Sequence, residues 1–182
     1  REMLVITIPA VELFDEKTQE FIETKETVLE LEHSLISISK WESKWHKPFL
    51  SKEEKTIEET IDYIKCMTIT QNVSPDTYNR LTKENIDQIQ KYISDPMTAT
   101  VFYNDTSQAG KTKIITSELI YHWMISLNVP MECQKWHINR LITLIRVCQI
   151  NNTTPKKMSK KEAASKFAAL NAARRKQTNS KG

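Results

Sequence analysis

The first third of the chain begins with apolar and polar side chains in the alternation of period two that is typical of β-strands. Residues 3–9, MLVITIP, are rich in β-branched side chains and end in a proline, and residues 27–33, TVLELEH, alternate regularly. Residues 14–21, FDEKTQEF, lie between them and predict a polar turn. We therefore predict a small antiparallel β element of two or three strands at the N-terminal end.

Apolar residues then recur at the three- and four-residue spacing of helices. Ser34 is the predicted cap of a first helix that Pro48 ends. Ser51, with Glu54 three residues later, has capping-box spacing and predicts the start of a second helix. Their predicted buried faces hold the large apolar residues at helical spacing: Leu35, Ile38, Trp41 and Trp45 in the first, and Ile57, Ile61, Ile64 and Cys66 or Met67 in the second.

Later segments continue the helical pattern. Residues 74–81 and 82–96 predict one short and one longer helix, and residues 117–128 predict another. Residues 132–150, ECQKWHINRLITLIRVCQI, form the most apolar stretch and predict a single central helix. The residues that we expect to be most deeply buried are in these last two helices: Trp123, Trp136, Leu141, Leu144 and Ile145.

One mid-chain stretch and the C-terminal end depart from this pattern. Residues 98–117 predict a β-hairpin around a polar loop that contains Gly110. Ser159 is the predicted cap of a final helix, residues 160–177, after a polar linker. The sequence thus predicts an α+β fold: a mainly helical domain over residues 3–152, followed by a linker and basic helical arm over residues 153–182.

Composition supports a helical chain in a reducing compartment. There are only two glycines, which argues against a fold with many tight turns. Hydrophobic residues make up 39% of the chain, enough for a core. Three cysteines form no CxxC motif and are predicted to be buried free thiols. No apolar run approaches the roughly 20 residues of a membrane span, so no membrane partner is predicted.

Charge divides the chain into two parts. From Lys156 onward there are nine Lys/Arg and one acidic residue, Glu162, which give a net charge of +8. Because the whole chain carries +3, the residues before Lys156 carry about −5. An acidic body with a basic arm leaves three uses of the arm open: docking on the body, docking on a partner, or nucleic-acid contact.

Motifs for chemistry are weak throughout. AGKT, residues 109–112, lacks the glycine that a phosphate-binding loop has five residues before its Gly-Lys pair. Four scattered histidines lack the short paired spacing of structural zinc sites. The acidic run at residues 53–59 is typical of a solvated first helical turn. We therefore predict that the chain is not an enzyme and has no catalytic, cofactor-binding or metal-binding residues.

Two aromatic or amphipathic features are candidate partner sites. Trp41 and Trp45 are either part of the core, the interpretation we favour, or an aromatic patch for a partner. In the arm, Ala163, Phe167 and Leu170 lie on one side of the predicted helix, which is too weakly apolar for a core helix. The arm also lacks the interleaved aromatics of single-strand binders, so nucleic acid is not an expected partner. The predicted partner-binding residues are in this helix: Phe167, Leu170, Arg174, Arg175 and Lys176.

Several segments of the sequence resemble those of a known group of phage proteins. They include LELEHSLISISKWESKWHKPFL (residues 29–50), PMTATVFY (96–103) and the long stretch from ITSELIYHWM to LITLIRVC (115–148). The chain resembles the tail assembly chaperones of tailed bacteriophages and prophages of Gram-positive bacteria, which are encoded beside the tape-measure protein. The similar segments are spread over nearly the whole chain and include no catalytic motif.

The resemblance implies a non-enzymatic helper in the host cytoplasm. Proteins of this group are thought to coat the tape-measure protein and keep it soluble until the tail-tube protein polymerises. The tape-measure protein is therefore the implied partner, with the tail-tube protein and a second copy of the chain as further candidates. The alternative that remains open is a structural virion protein, a tail or head-tail connector component whose N-terminal strands complete a neighbour's sheet.

Overall fold

The computed structural model of the chain describes residues 3–102, 114–152 and 160–178. It is a mixed α+β structure in which helices predominate and the strands form two small antiparallel sheets, which confirms the predicted fold class. The elements follow in the order β1 Leu4–Ile8, β2 Glu12–Asp15, β3 Glu20–Glu23, β4 Thr27–Leu31, α1 Leu35–Trp45, α2 Ile57–Met67, a 3-10 helix Pro75–Arg80, α3 Lys83–Ser94, α4 Ser117–Ser126, a 3-10 helix Met131–Lys135, α5 Ile138–Asn152 and α6 Lys160–Thr178.

The chain divides into two compact units, residues 1–149 and residues 150–182, and each is described by itself. The first unit contains a single hydrophobic core that includes side chains from β1, β4 and helices α1 to α5. Most of the second unit is α6, the helix of the predicted basic arm. Its predicted cap, Ser159, lies outside the described residues.

Strands β1 and β4 pair antiparallel with Ile6 opposite Leu29, so their apolar faces coincide. Ile6, Ile8, Leu29 and Leu31 are all buried, while Val5 and Val28 point outward. This is the alternation that the sequence predicts. The four buried side chains each contribute about 1.5–3 kcal/mol by removal from water and attach the sheet to the helices.

The segment between these strands is a second hairpin rather than a polar turn. β2 pairs with β3, and only residues 16–19 form the turn between them. The prediction that residues 14–21 are a turn was therefore wrong at both ends, where Phe14 and Phe21 are paired strand residues. The aromatic pair across the strands, with ring centroids 5.2 Å apart, favours this pairing.

Helix α1 forms as predicted. The Ser34 side chain accepts a hydrogen bond from the backbone N–H of Ser37, and the helix ends at His46, which has a left-handed backbone conformation. Leu35, Ile38 and Trp41 are fully buried on the face that the spacing indicates. These side chains belong to the same hydrophobic core as the buried residues of the β1–β4 sheet, and α1 packs against α2 and α4.

Helix α2 starts later than predicted and buries only part of the predicted face. Its cap is Thr56 rather than Ser51, and Ile57, expected to be buried, is 80% exposed. Ile64 and Met67 are buried as predicted, but the buried face also includes Glu59, Asp62 and Tyr63. The reason is electrostatic, because the two carboxylates are partners of basic and indole groups on or just after α1, and these bonds set the rotation of the helix.

The predicted central helix is interrupted in the structure. A 3-10 helix covers residues 131–135, and α5 begins only at Ile138. Between them, His137 forms an antiparallel bridge with Ser34, and the N–H of Ile138 donates to the carbonyl of His33 at 2.8 Å. This backbone pairing uses the hydrogen-bonding groups that a continuous helix would need, so the helix cannot continue through it.

The interruption also changes which core residues are deepest. Leu141 and Ile145 are buried as predicted. Trp123, Trp136 and Leu144 are only partly buried and pack against the edge of the core. Trp136 stands at the end of the 3-10 helix, where the guanidinium of Arg140 lies 4.7 Å from its ring centroid, an arrangement that suits a half-exposed indole.

The predicted mid-chain hairpin falls mostly outside the described residues. Residues 103–113, with the loop and Gly110, are not described, and the flanking residues 98–102 and 114–116 form no strand. Val101 and Ile114 are both more than half exposed in these flanks. Their β-branched side chains suit a strand but have no core face to cover, so the prediction is wrong for the flanks.

A buried junction connects four segments of the first unit that are distant in sequence. The N–H of His33 donates to the hydroxyl of Tyr92 at 3.0 Å, and Nδ1 of His33 is bonded to the hydroxyl of Tyr63. Nε2 of His137 lies 2.7 Å from the carbonyl oxygen of Tyr92, and the two imidazole centroids are 5.1 Å apart. Burial, and secondarily the neighbouring His137, lowers the pKa of His33 to about 3. We name this set, His33, Tyr63, Tyr92 and His137, the histidine junction.

We expect acid to destabilise the chain through His33. Its pKa is about 3 in the folded state and close to 6.5 when unfolded, so the unfolded state binds the proton first and stability falls as pH drops below 6.5. The loss should be about 1 kcal/mol between pH 6.5 and about 5.5, before carboxylates titrate. Urea unfolding at both pH values measures it. A His33→Gln variant should lose most of this pH dependence, whereas the control variant His122→Gln, changed at an exposed position, should keep it. If the free energy of unfolding changed equally with pH in all three chains, the assignment to His33 would be contradicted.

We also expect two leucines of α5, three positions apart, to differ in their contribution to stability. Leu141 is fully buried, whereas Leu144 is only partly covered. Leu141→Ala should lower the free energy of unfolding by about 3 kcal/mol, because it leaves a cavity, and Leu144→Ala by about 1 kcal/mol. Chemical denaturation compares them directly, and similar losses would show that the core is centred elsewhere.

Candidate functional site

The β2–β3 hairpin, residues 12–23, exposes an unusual amount of apolar surface. Phe14 is 53% exposed and Phe21 67% exposed, and Leu13 and Ile22 are nearly half exposed. A two-stranded hairpin of this size is marginal in water, and none of these four side chains is part of the hydrophobic core cluster. Large apolar side chains grouped in this way are typical of a binding surface.

The strand register places one apolar pair on each face of this hairpin. Phe14 is opposite Phe21, and Leu13 is opposite Ile22. Since successive side chains of a strand point to opposite faces, the phenylalanines share a face with Glu12 and Glu23. We call this face, formed by Glu12, Phe14, Phe21 and Glu23, the aromatic face of the hairpin.

Each face of the hairpin carries one pair of directly opposed acidic residues. Glu12 pairs with Glu23, and Asp15 pairs with Glu20. Like charges directly opposite one another destabilise a strand pair. None of these four carboxylates has an ion pair within residues 3–102, 114–152 and 160–178. The hairpin therefore combines exposed apolar side chains with uncompensated negative charge.

Arg80 fixes the base of the hairpin to the first unit. It ends the 3-10 helix that follows α2, and its Nη1 donates to the carbonyl oxygens of Pro9 and Lys25, each at 3.3 Å. Nη1 also lies 3.2 Å from the hydroxyl of Thr24, and Nη2 lies 3.3 Å from that of Thr27. One guanidinium thus contacts both the segment that leads into the hairpin and the segment that leads out of it.

The predicted partner-binding residues lie on α6, in the second unit. Phe167 is 66% exposed and Leu170 is 43% exposed. At 100° per residue, Arg174 falls in line with these two side chains, Arg175 lies to one side and Lys176 lies on the opposite face. The helix therefore brings together only three of the five predicted residues, Phe167, Leu170 and Arg174, on one face.

Of the tryptophan pair of α1, Trp41 belongs to the core, as the favoured interpretation had it, whereas Trp45 is only partly buried and packs against the core. Trp41 is buried, and its indole N–H donates to the carbonyl oxygen of Glu59 at 2.8 Å. The indole N–H of Trp45 donates to Asp62 at 2.8 Å, and Lys44 makes an ion pair with the same carboxylate. Burial alone would raise the pKa of Asp62, but the hydrogen bonds from Lys44 and Trp45 outweigh it and lower the pKa.

The other chemical candidates are distributed as follows. Cys133 is buried and Cys66 and Cys148 are partly buried, all three as free thiols, so the prediction of full burial was right only for the first. Burial raises the pKa of Cys66 to about 11, which keeps the thiol protonated. Residues 109–112, AGKT, lie outside the described residues. Among the described residues, no group of three or more His, Cys, Asp or Glu is placed to hold a metal ion.

Comparison with protein-family models, with curated proteins and with solved structures gives no match to this chain. No described helix combines the length and the apolar character that are needed to cross a bilayer.

Sequence reasoning found the arm but missed the hairpin. The polar residues 16–19 dominated the interpretation of this stretch, although ELFD and EFIE flank them almost symmetrically. Two short segments with apolar pairs at matching distance from a polar centre are the signal of a hairpin with a four-residue connection. That signal was present and would have placed Phe14 opposite Phe21.

We expect the orientation of the hairpin to depend on Arg80. Arg80→Ala removes the hydrogen bonds to both connecting segments, so amide hydrogen exchange of residues 12–24 should accelerate about tenfold or more while that of α1 stays unchanged. Asn79→Ala, at the exposed neighbouring position, is the matched control. Unchanged exchange in the hairpin of the Arg80 variant would show that the guanidinium does not hold it.

Proposed function

We propose that this chain is a non-enzymatic binding protein that holds another protein chain reversibly, and that it acts as a phage tail assembly chaperone. Its client in this proposal is the tape-measure protein, which it keeps soluble in the host cytoplasm until the tail tube polymerises. The client and the location follow from the sequence resemblance. The single observation that supports the binding role most directly is the exposed apolar face of α6, with Phe167 and Leu170 beside Arg174.

The physical properties of this face suit a temporary contact. Burying two side chains of this size is worth about 1.5–3 kcal/mol each, and part of that gain offsets the loss of freedom on association. The positive charges around them attract a partner that carries acidic residues, and this attraction becomes weaker as the salt concentration rises. A client held in this way is protected from aggregation and can still be displaced by a stronger assembly contact.

The basic character of α6 also gives the contact a preferred partner chemistry. Lys166, Arg174 and Arg175 lie within one helical turn or two of the apolar pair. Long basic side chains cover apolar surface with their methylene stems while their charged ends stay in water. A helical client with an apolar stripe and acidic flanks would therefore be bound both by apolar contact and by attraction between opposite charges.

Capture of tape-measure segments tests the proposal. The segments are immobilised and incubated with the full chain, with a chain lacking residues 156–182, and with the double variant Phe167→Ser and Leu170→Ser. We expect the truncation and the double variant each to reduce capture about tenfold or more, because the apolar contact is lost. The control is Ala169→Ser with Ala172→Ser, which changes the opposite face of the same helix.

Two outcomes would contradict the proposal. Equal capture by the full chain and both α6 variants would remove the arm from the binding mechanism. Recovery of the chain in purified virions, at the copy number of a ring, would instead support a structural tail or connector component. The open edges of the short β2–β3 hairpin are the feature that such a component would use to join a neighbour's sheet.

A further inference from the structure

The aromatic face of the β2–β3 hairpin has two properties that point to the same kind of partner. Its phenylalanines, both more than half exposed, offer apolar area, and their rings, 5.2 Å apart, form one continuous patch. Glu12 and Glu23 are directly opposed beside that patch, and neither makes an ion pair within the described residues. A partner gains most from this face if it supplies both an apolar stripe and positive charge.

A second copy of the same hairpin does not fit this description. Edge-to-edge or face-to-face pairing of two hairpins would bring together eight carboxylates from residues 12, 15, 20 and 23. Like charges at such distances repel, and each would have to lose water as well. Charge complementarity therefore favours a basic partner over self-association through this element.

We propose that the aromatic face of the hairpin is a docking surface for a helix of the client protein that has an apolar stripe flanked by lysine or arginine. The strands are four residues long, or about 13 Å, which matches two to three turns of helix. Apolar side chains at spacings of three and four would lie on Phe14 and Phe21, and flanking cations would reach Glu12 and Glu23. The inference rests on the proposed client-binding function and assigns it a second surface of opposite charge to α6.

Two surfaces of opposite sign have a specific use in holding a long client. The arm is basic, and the hairpin carries five acidic residues and one lysine over residues 12–23. A client helix with acidic flanks would be bound by the first and one with basic flanks by the second. The same small protein can then cover client segments of either charge.

The experiment uses the full chain and a defined probe, a fluorescent helical peptide of about 18 residues with a leucine stripe and lysine flanks. Two control peptides have the same length: one replaces lysine by glutamate, and one scrambles the leucines so that the stripe is lost. Binding is measured by anisotropy at about 50 mM and about 300 mM NaCl. We expect the basic striped peptide to bind at least tenfold tighter than the scrambled peptide and several-fold weaker at the higher salt, whereas the glutamate peptide should bind at α6 and be unaffected by changes in the hairpin.

Variants of the hairpin locate the binding. Phe14→Ser with Phe21→Ser should weaken binding about tenfold or more, and the matched control Val5→Ser with Val28→Ser, on the outward side of β1–β4, should leave it unchanged. Because the phenylalanine variant could unfold the hairpin, Glu12→Gln with Glu23→Gln supplies a second test. Removing the opposed charges stabilises the strand pair, so slower hydrogen exchange together with weaker binding supports docking and excludes a purely structural role.

The remaining outcomes are decisive as well. Equal binding of the basic striped and the scrambled peptide, or binding of the basic striped peptide that is unaffected by both hairpin variants, would overturn the inference. Self-association of the chain that is lost in the phenylalanine variant would assign the face to a second copy instead. The two proposals fail separately: peptide docking on the hairpin without capture of tape-measure segments would contradict only the identity of the client. Capture of those segments by both hairpin variants at the level of the unaltered chain would contradict only the second surface.

Discussion

The histidine junction is the constraint on which the first unit depends. Residues from four parts of the chain meet there: the end of β4, the middle of α2, the end of α3 and the start of α5. The backbone of His33 uses its N–H for Tyr92 and its carbonyl for Ile138, so a single residue fixes two distant segments at once. Buried polar groups that are all paired in this way specify one arrangement of the elements, whereas apolar packing alone tolerates several.

The junction also helps to explain which structural elements could be predicted from the sequence and which could not. Strands β1 and β4, helix α1 and its Ser34 cap follow from local patterns, because alternation, spacing and cap chemistry agree there. The break before Ile138 does not follow from local patterns, because it is caused by a backbone bridge to residue 34, more than one hundred positions away. The rotation of α2 is a second example, since Ile57 fits the apolar stripe but Glu59 and Asp62 have partners on or just after α1. Long-range polar pairing is invisible to periodicity.

The candidate surfaces divide in the same way. The arm was accessible from the sequence because its apolar residues and charges lie at helical spacing in a strongly basic segment. Its face could only be narrowed to Phe167, Leu170 and Arg174 once the helix was in place. The hairpin was missed because a short acidic stretch looks like a solvated loop, and its apolar pairs become a surface only when the strands pair. Two short surfaces of opposite charge are the result, one in each unit.

Arg80 has a consequence for how this protein can change over evolutionary time. All the bonds that its guanidinium makes with the hairpin region go to residues just before or just after the hairpin, at Pro9, Thr24, Lys25 and Thr27. Since none of residues 12–23 belongs to the hydrophobic core cluster, substitutions in the hairpin leave the core side chains and the bonds of Arg80 in place. If the hairpin docks a partner as proposed above, related chains would be free to vary residues 12–23 and so bind other partners, while Arg80 and the segments that it contacts stay constant.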